Sequence, residues 1–334
     1  MELMNRSTTQ KGYINYLKAI CIILVVIGHC LNYYNKNYSS FNEFGQTVLA
    51  LIYAVHVPTF FVISGFLVHK QDVAQYYKKK VFRIAIPYFI FSLLKIVYNN
   101  FISSTFLHTD KSIWRQILDI LISGDSYWFA YTILLFFVLT PLIWHLNCAI
   151  TKLVLSVFIV INCIISIFDI TITSLFQLNN FLFYFPFFLL GYLISIDEKI
   201  KGKILTINKL IIYSVSILLI CTSLLIRFLT PIYSIGDYFP VAFLLALSLM
   251  FPLFRLSLII PKRINVLSQI GQYSYQILLL DAFFKAFLFL ILNNWVSIWV
   301  TLLICVLDVM GCFFVCLLCK KIPIVRTLLG IKKG

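Results

Sequence analysis

The chain has 334 residues, of which 61% are hydrophobic and 12% charged, and its net charge is +15. Soluble domains contain about 25% charged residues, so this composition excludes a water-soluble globule and predicts an all-α, polytopic membrane helix bundle in the lipid bilayer. The basic excess is typical of cytoplasmic loops rather than of nucleic-acid binding. The nine cysteines fall mostly in apolar runs, which indicates small apolar residues and neither a metal site nor a disulfide framework.

Ten apolar segments approach the roughly 20 residues that a helix needs to cross a bilayer. They predict about ten transmembrane helices in a single domain, residues 1–334, with no soluble domain. Segment 110–125 is amphipathic and is expected to lie along the membrane surface. The ten runs are 14–34, 46–68, 84–105, 127–146, 153–174, 179–196, 209–229, 238–258, 270–291 and 296–318.

The distribution of basic residues predicts the orientation. If the N-terminus is cytoplasmic, 21 of the 27 Lys and Arg lie in or beside cytoplasmic segments, and three lie deep in the membrane. The outer loops hold only Lys36, Lys111 and Arg115. Such a bias follows the positive-inside rule and places both termini in the cytoplasm of a bacterial-type inner membrane.

The first helix carries a cation and a histidine, Lys18 and His29, which are 11 residues apart. At about 100° per residue they lie within about 20° of one face, roughly 16 Å apart along the axis. Snorkelling of Lys18 and helix packing by His29 are the plain alternatives. Neither explains why both residues share one face.

The second helix and the basic run after it offer further candidates. His56 is expected near the depth of His29, and Gly65 allows close approach of another group, either a ligand or a packed helix. The run KKKVFR ends in Arg83, whose planar guanidinium suits phosphates. A plain topology signal is the alternative for this run.

The later helices contribute two further features. The fourth helix opens on aromatic residues around Trp128, which is typical of an interfacial belt. In the ninth, Asp281 and Lys285 are four residues apart and are predicted to neutralise one another. Charges at this depth are costly and indicate function or structural pairing.

The order of these pieces resembles one family. The first-helix cation and histidine are followed by FFVISGF, RIAIP, YWF, LTP, FPFFLLGYLIS and IGQYSYQILLL. This set is similar to the acyltransferase-3 family of integral membrane acyltransferases, many of which O-acetylate bacterial surface polysaccharides. By this resemblance His29 matches the family's essential histidine, and Lys18 takes the place of its usual arginine. Many members carry a histidine where this chain has Asp281.

The resemblance implies an enzyme that moves an acetyl or similar acyl group from acyl-CoA to a sugar hydroxyl of a surface or lipid-linked polysaccharide. It implies His29 and Lys18 as catalytic residues, with no metal and with polysaccharide-synthesis machinery as a partner. An imidazole with a pKa of about 6.5 suits the role of base. The implied donor-binding residues are Lys18, Ser64, Gly65, Phe66 and Arg83; the candidate acceptor contacts are Asn32, His56, Trp128 and Asp281.

Two other functions are compatible with the residues. An exporter of polysaccharide or lipid-linked sugar would use the intramembrane charges for passage of its substrate or for proton coupling. A structural subunit of a synthase would have no use for buried charges that cost free energy.

Overall fold

The computed structural model describes residues 2–102, 111–124, 127–229, 238–260 and 265–331. Within these ranges the secondary structure is helical and contains no strand, which confirms the predicted all-α class. The helices are α1 Glu2–Asn37, α2 Glu43–Phe66, α3 Val73–Lys80, α4 Ile86–Val97, α5 Ile113–Ile122, α6 Trp128–Ile143, α7 Cys148–Ile167, α8 Leu178–Ile196, α9 Glu198–Thr206, α10 Lys209–Leu229, α11 Phe239–Ile259, α12 Asn265–Gln272, α13 Ser274–Ile291, α14 Ile298–Lys321 and α15 Pro323–Leu328.

Among the described residues, eight helical stretches are long and apolar enough to span a membrane, and two shorter apolar helices, Trp128–Ile143 and Leu210–Thr222, accompany them. Each of the ten predicted runs coincides with one of these helices. The third span differs most from its prediction. It runs over Val73–Asn100 instead of 84–105, because α3 continues through a π-helical segment, Val81–Ala85, directly into α4.

Glycine sets the distance between the two most extensively packed helices, α2 and α8. A Cβ added to Gly65 would lie within 1.9 Å of the Phe188 carbonyl oxygen, and one added to Gly191 would lie 2.0 Å from the Val62 carbonyl oxygen. Small residues at such a crossing allow the two backbones to touch. The two glycines therefore lock α2 against α8.

The helices α2, α6 and α8 bury a group of phenylalanines that we call the aromatic wall: Phe61, Phe136, Phe181, Phe185 and Phe188. The ring of Phe136 lies at the centre, with the other four ring centroids 5.1 to 5.4 Å away. Mixed edge-on and tilted rings at this spacing pack favourably. The contacts among these five rings are apolar.

The π-helical segment is fixed by the last described residues of the chain. The Tyr275 hydroxyl donates a hydrogen bond to the Ile84 carbonyl (2.9 Å), and the Gln276 amide donates to the Leu329 carbonyl (3.0 Å). Gly330 has a φ of +66°, and a Cβ there would lie 2.5 Å from the Arg83 carbonyl oxygen. A positive φ and this close approach both require glycine. The turn after α15 therefore holds the backbone of Arg83 in place.

Candidate functional site

His29 on α1 is hydrogen-bonded to Asp281 on α13. The distance from His29 Nδ1 to Asp281 Oδ2 is 2.6 Å, although 252 residues separate the two. Asp281 is buried, whereas the His29 side chain is 32% exposed. In the neutral imidazole, an Nδ1–H that donates to the carboxylate leaves a lone pair on Nε2. The pair therefore fixes the ring through Nδ1 and leaves Nε2 as the nitrogen that could accept a proton.

Two further charged side chains surround Asp281. Lys285 Nζ lies 3.5 Å from Asp281 Oδ2, which confirms the pair predicted from their spacing. Asp308 on α14 accepts a hydrogen bond from the Cys312 thiol (3.2 Å) and contacts Asp281. We call His29, Asp281, Lys285 and Asp308 the polar seam.

Each of the two carboxyl groups of the polar seam has one oxygen atom that lacks a hydrogen bond within the described part of the chain. Among the described residues, neither Asp281 Oδ1 nor Asp308 Oδ2 has a hydrogen-bond donor, and both atoms are buried. Two touching carboxyl groups are satisfied when one proton lies between them. With that proton on Asp308, Asp281 would accept a hydrogen bond from Asp308 beside its bond with His29 and its ion pair with Lys285.

Beside His29, a tyrosine joins the candidate acceptor residues. The Tyr53 ring lies 6.5 Å from the His29 ring and 5.2 Å from the His56 ring, centroid to centroid. Tyr53 also has a side-chain hydrogen bond with Asn32. His56 is buried, with Nδ1 2.5 Å from the Ile52 carbonyl oxygen. The structure thus places Asn32 and His56 near His29.

Three cations lie near one another: Lys18 on α1, Lys80 on α3 and Arg83 in the π-helical segment. Lys80 lies within electrostatic range of Lys18 and Arg83, and its Nζ sits 3.3 Å from the centroid of the Phe137 ring. Lys18 and Lys80 are partly buried, and Arg83 is exposed. Within the described ranges none of the three has a carboxylate partner. We call them the cation cluster, and such a cluster suits a multiply charged anion.

The other candidate residues lie apart from the polar seam. The Ser64 hydroxyl donates to the Phe60 carbonyl of its own helix (2.8 Å), and Gly65 lies against the α8 backbone. Trp128 stacks on Tyr184 at 5.5 Å, beside the aromatic wall. Phe66 lines a cavity at one end of the bundle. Contact of these four residues with donor or acceptor stays a prediction.

Two members of the site had no distinguishing signal in the sequence. Lys80 is one of three consecutive lysines, and only the packing of α3 on α6 separates it from Lys78 and Lys79. Tyr53 is one of 19 tyrosines. The partnership of Asp281 with His29 was also missed, because the spacing within α13 pointed to Lys285 alone.

The fold and site together define a polytopic membrane protein with a histidine–carboxylate pair and a cluster of three cations. The model of the acyltransferase-3 family, described as an acyltransferase domain, matches residues 11–317. The chain therefore belongs to this family and is a membrane acyltransferase. No curated protein and no solved structure gives a significant match to the chain.

Proposed function

We propose that the protein transfers an acetyl or similar acyl group from acyl-CoA to a sugar hydroxyl of a surface or lipid-linked polysaccharide. The observation that carries the proposal is the 2.6 Å bond between His29 Nδ1 and Asp281. A sugar hydroxyl is a poor nucleophile until a base takes its proton. A histidine held by a buried carboxylate supplies that base, and the carboxylate stabilises the imidazolium that forms.

The reaction can be written for direct transfer. His29 Nε2 takes the hydroxyl proton while the sugar oxygen attacks the thioester carbonyl carbon. The carbon–sulfur bond then breaks, and the thiolate receives the proton from His29, so that the products are the ester and free CoA. In the two-step route His29 Nε2 attacks the thioester carbonyl carbon, and the carbon–sulfur bond breaks to release the CoA thiolate. The sugar oxygen then attacks the acyl-imidazole, the bond from Nε2 to the acyl carbon breaks, and the hydroxyl proton passes to the thiolate. Asp281 holds the ring in both routes.

The separation of the cation cluster from His29 suits the donor. Lys18 and His29 lie on the single continuous helix α1, roughly 16 Å apart along its axis. The phosphopantetheine arm of CoA has about 13 bonds between phosphate and sulfur, and at about 3.6 Å for each three bonds of an extended chain it also spans about 16 Å. With the CoA phosphates on Lys18, Lys80 and Arg83, the thioester reaches His29.

The same arrangement supports the proposed orientation in a bacterial-type inner membrane. Acyl-CoA is a cytoplasmic metabolite, and the cation cluster lies at the end of the bundle that the charge bias assigns to the cytoplasm. The acceptor then approaches His29 from the opposite end, past Asn32, Tyr53 and His56. Polysaccharide-synthesis machinery is the partner that would present such a glycan.

The test is transfer of radiolabel from [¹⁴C]acetyl-CoA to glycan in membranes that contain the full chain. We expect His29→Ala to lower the rate of transfer at least 1,000-fold, at normal protein levels. The matched control is His145→Ala, which removes an exposed histidine outside the site. Transfer by His29→Ala at the wild-type rate would refute the proposal. Glycan export without any acyl transfer by the wild-type protein would instead favour an exporter.

A further inference from the structure

A cavity of about 510 Å³ opens at the end of the bundle that carries the cation cluster, between the ends of α2, α6 and α8 and the start of α9. Its walls combine aromatic and basic side chains. This volume falls within the range of small-molecule sites, about 300–1,000 Å³. The walls include Phe66, His69, Lys70, Trp144, Tyr192 and Lys201.

One residue that lines the cavity has an unsatisfied hydrogen-bond donor. Within the part of the chain that the structure describes, the buried Trp144 Nε1–H has no hydrogen-bond acceptor. Nearly all buried donors in native proteins are paired, so an orphan of this kind calls for a partner. Trp144 also lines the cavity, so an acceptor atom of a bound molecule is a candidate partner for this donor.

The cavity adjoins the cation cluster through one side chain. The Tyr76 ring lies 5.1 Å from the Trp144 ring and 5.3 Å from Lys80 Nζ. Lys80 in turn neighbours Lys18 and Arg83. Tyr76 itself is buried, so the cavity and the cation cluster lie on two sides of one tyrosine ring.

The cations of the cavity differ in how they are engaged. Lys201 forms an ion pair with Glu198, with 3.0 Å between Lys201 Nζ and Glu198 Oε1. Lys70 is exposed and has no ion pair among the described residues. Lys70 is thus the cation best placed to receive a further phosphate.

We propose that this cavity binds the adenosine 3′-phosphate end of acyl-CoA, with the purine against the half-buried Trp144 and the 3′-phosphate at Lys70. The inference rests on the proposed function and extends it. Flat aromatic walls favour a purine over the flexible headgroup of a lipid, because stacking on an aromatic ring is worth about 1–3 kcal/mol per base. The donor would then be recognised at both ends of its diphosphate.

The direct test measures binding of adenosine 3′,5′-bisphosphate to the purified full chain in nanodiscs of zwitterionic lipid. We expect Trp144→Leu and Lys70→Ala each to weaken binding at least tenfold. The controls are Trp114→Leu and Lys203→Ala, which change exposed side chains outside the cavity and should keep the wild-type Kd. Equal affinity in wild type and Lys70→Ala, an exposed variant that should fold normally, would overturn the proposal.

A second measurement separates this inference from the proposed function. The ratio of kcat/KM for acetyl-CoA to that for acetyl-phosphopantetheine, which lacks the nucleotide, should fall at least tenfold in Trp144→Leu and Lys70→Ala. An unchanged ratio, with normal transfer from acetyl-CoA, overturns the cavity assignment and leaves the function standing. Tight bisphosphate binding without any transfer by the wild type overturns the function alone. Displacement of the bisphosphate by phosphatidylglycerol vesicles at equal phosphate concentration would identify a lipid site and overturn the inference.

Discussion

The polar seam and the aromatic wall lie in the same bundle but join their helices through opposite kinds of side chain. The wall joins α2, α6 and α8 through rings that touch at about 5 Å, and its members carry no polar atom. The seam joins α1, α13 and α14 through Asp281, Asp308, Lys285 and His29. Buried charges cost free energy even when paired. Because it costs free energy, we expect the seam to serve the proposed chemistry, whereas we expect the wall to serve stability.

The largest effect on acyl transfer is expected from Asp281→Asn in the polar seam. An amide cannot stabilise the imidazolium, and it leaves Lys285 without a countercharge. We expect the rate of acyl transfer per folded molecule to fall about 10²- to 10⁴-fold. The control in the wall region is Thr140→Val, which removes the buried hydroxyl that donates to the Phe136 carbonyl and should keep the rate. A rate for Asp281→Asn within threefold of wild type would contradict the division of labour.

Asp308 tests whether the shared proton matters. Asp308→Asn keeps a donor for Asp281 Oδ1 and should retain at least a third of the wild-type rate. Asp308→Val removes the donor and should lower the rate about 10- to 100-fold, because an unsatisfied buried acceptor costs about 1–3 kcal/mol. The rates are measured in the same membrane assay. Similar rates in both variants would show that the contact with Asp281 has no role in transfer.

The next prediction concerns stability, and it tests the packing of α2 on α8. In Gly65→Ala the new Cβ meets the Phe188 carbonyl oxygen at 1.9 Å, so that α2 and α8 must separate. Overpacking of this kind destabilises by about 1–3 kcal/mol, which thermal unfolding in detergent should show as a lower midpoint. Gly202→Ala on α9 is the control, since a Cβ there meets nothing within 4 Å. Equal midpoints for the two variants would exclude the glycine lock.

The smallest effect is expected at the start of α9. Hydrogen bonds from the Cys148 thiol, the Ile200 backbone N–H and the Lys152 ammonium lower the pKa of Asp197 to about 2. A lowered carboxyl pKa contributes stability above about pH 4, and that contribution is lost as the pH falls through about 2. Hydrogen exchange of α9, corrected for intrinsic rates, should accelerate between pH 5 and pH 2.

Asp197→Asn isolates that carboxyl group. The variant should exchange faster than wild type at pH 5, and the two proteins should converge near pH 2. If wild-type protection stays constant over this range, or if the variant shows the same pH dependence, then Asp197 does not anchor α9.

The helices and the face of α1 could be predicted because both depend on local pattern. Each apolar run is long enough to form a helix by itself, and the angle between Lys18 and His29 follows from helical geometry. The pairing of Asp281 with Lys285 is local too, and the structure confirms it.

The contacts that complete the site depend on which helices become neighbours. The bond from His29 to Asp281 joins residues 252 positions apart, and no local rule specifies it. The separation of Lys80 from its two neighbouring lysines likewise depends on the packing of its ammonium over the Phe137 ring. The π-helical register that carries Arg83 is a third such case, since it is held by residues near the other end of the chain.

The contact between Gly330 and the Arg83 carbonyl also has a consequence for the order in which the parts of the site form during synthesis of the chain. Residue 330 leaves the ribosome 247 residues after Arg83, which at about 5–20 residues per second is roughly 10–50 seconds later. Until then the π-helical segment lacks the turn that holds it, even though α1 and α2 are already in the membrane. A nascent chain would therefore lack both the Asp281 partner of His29 and the turn that fixes Arg83 until its last helices arrive.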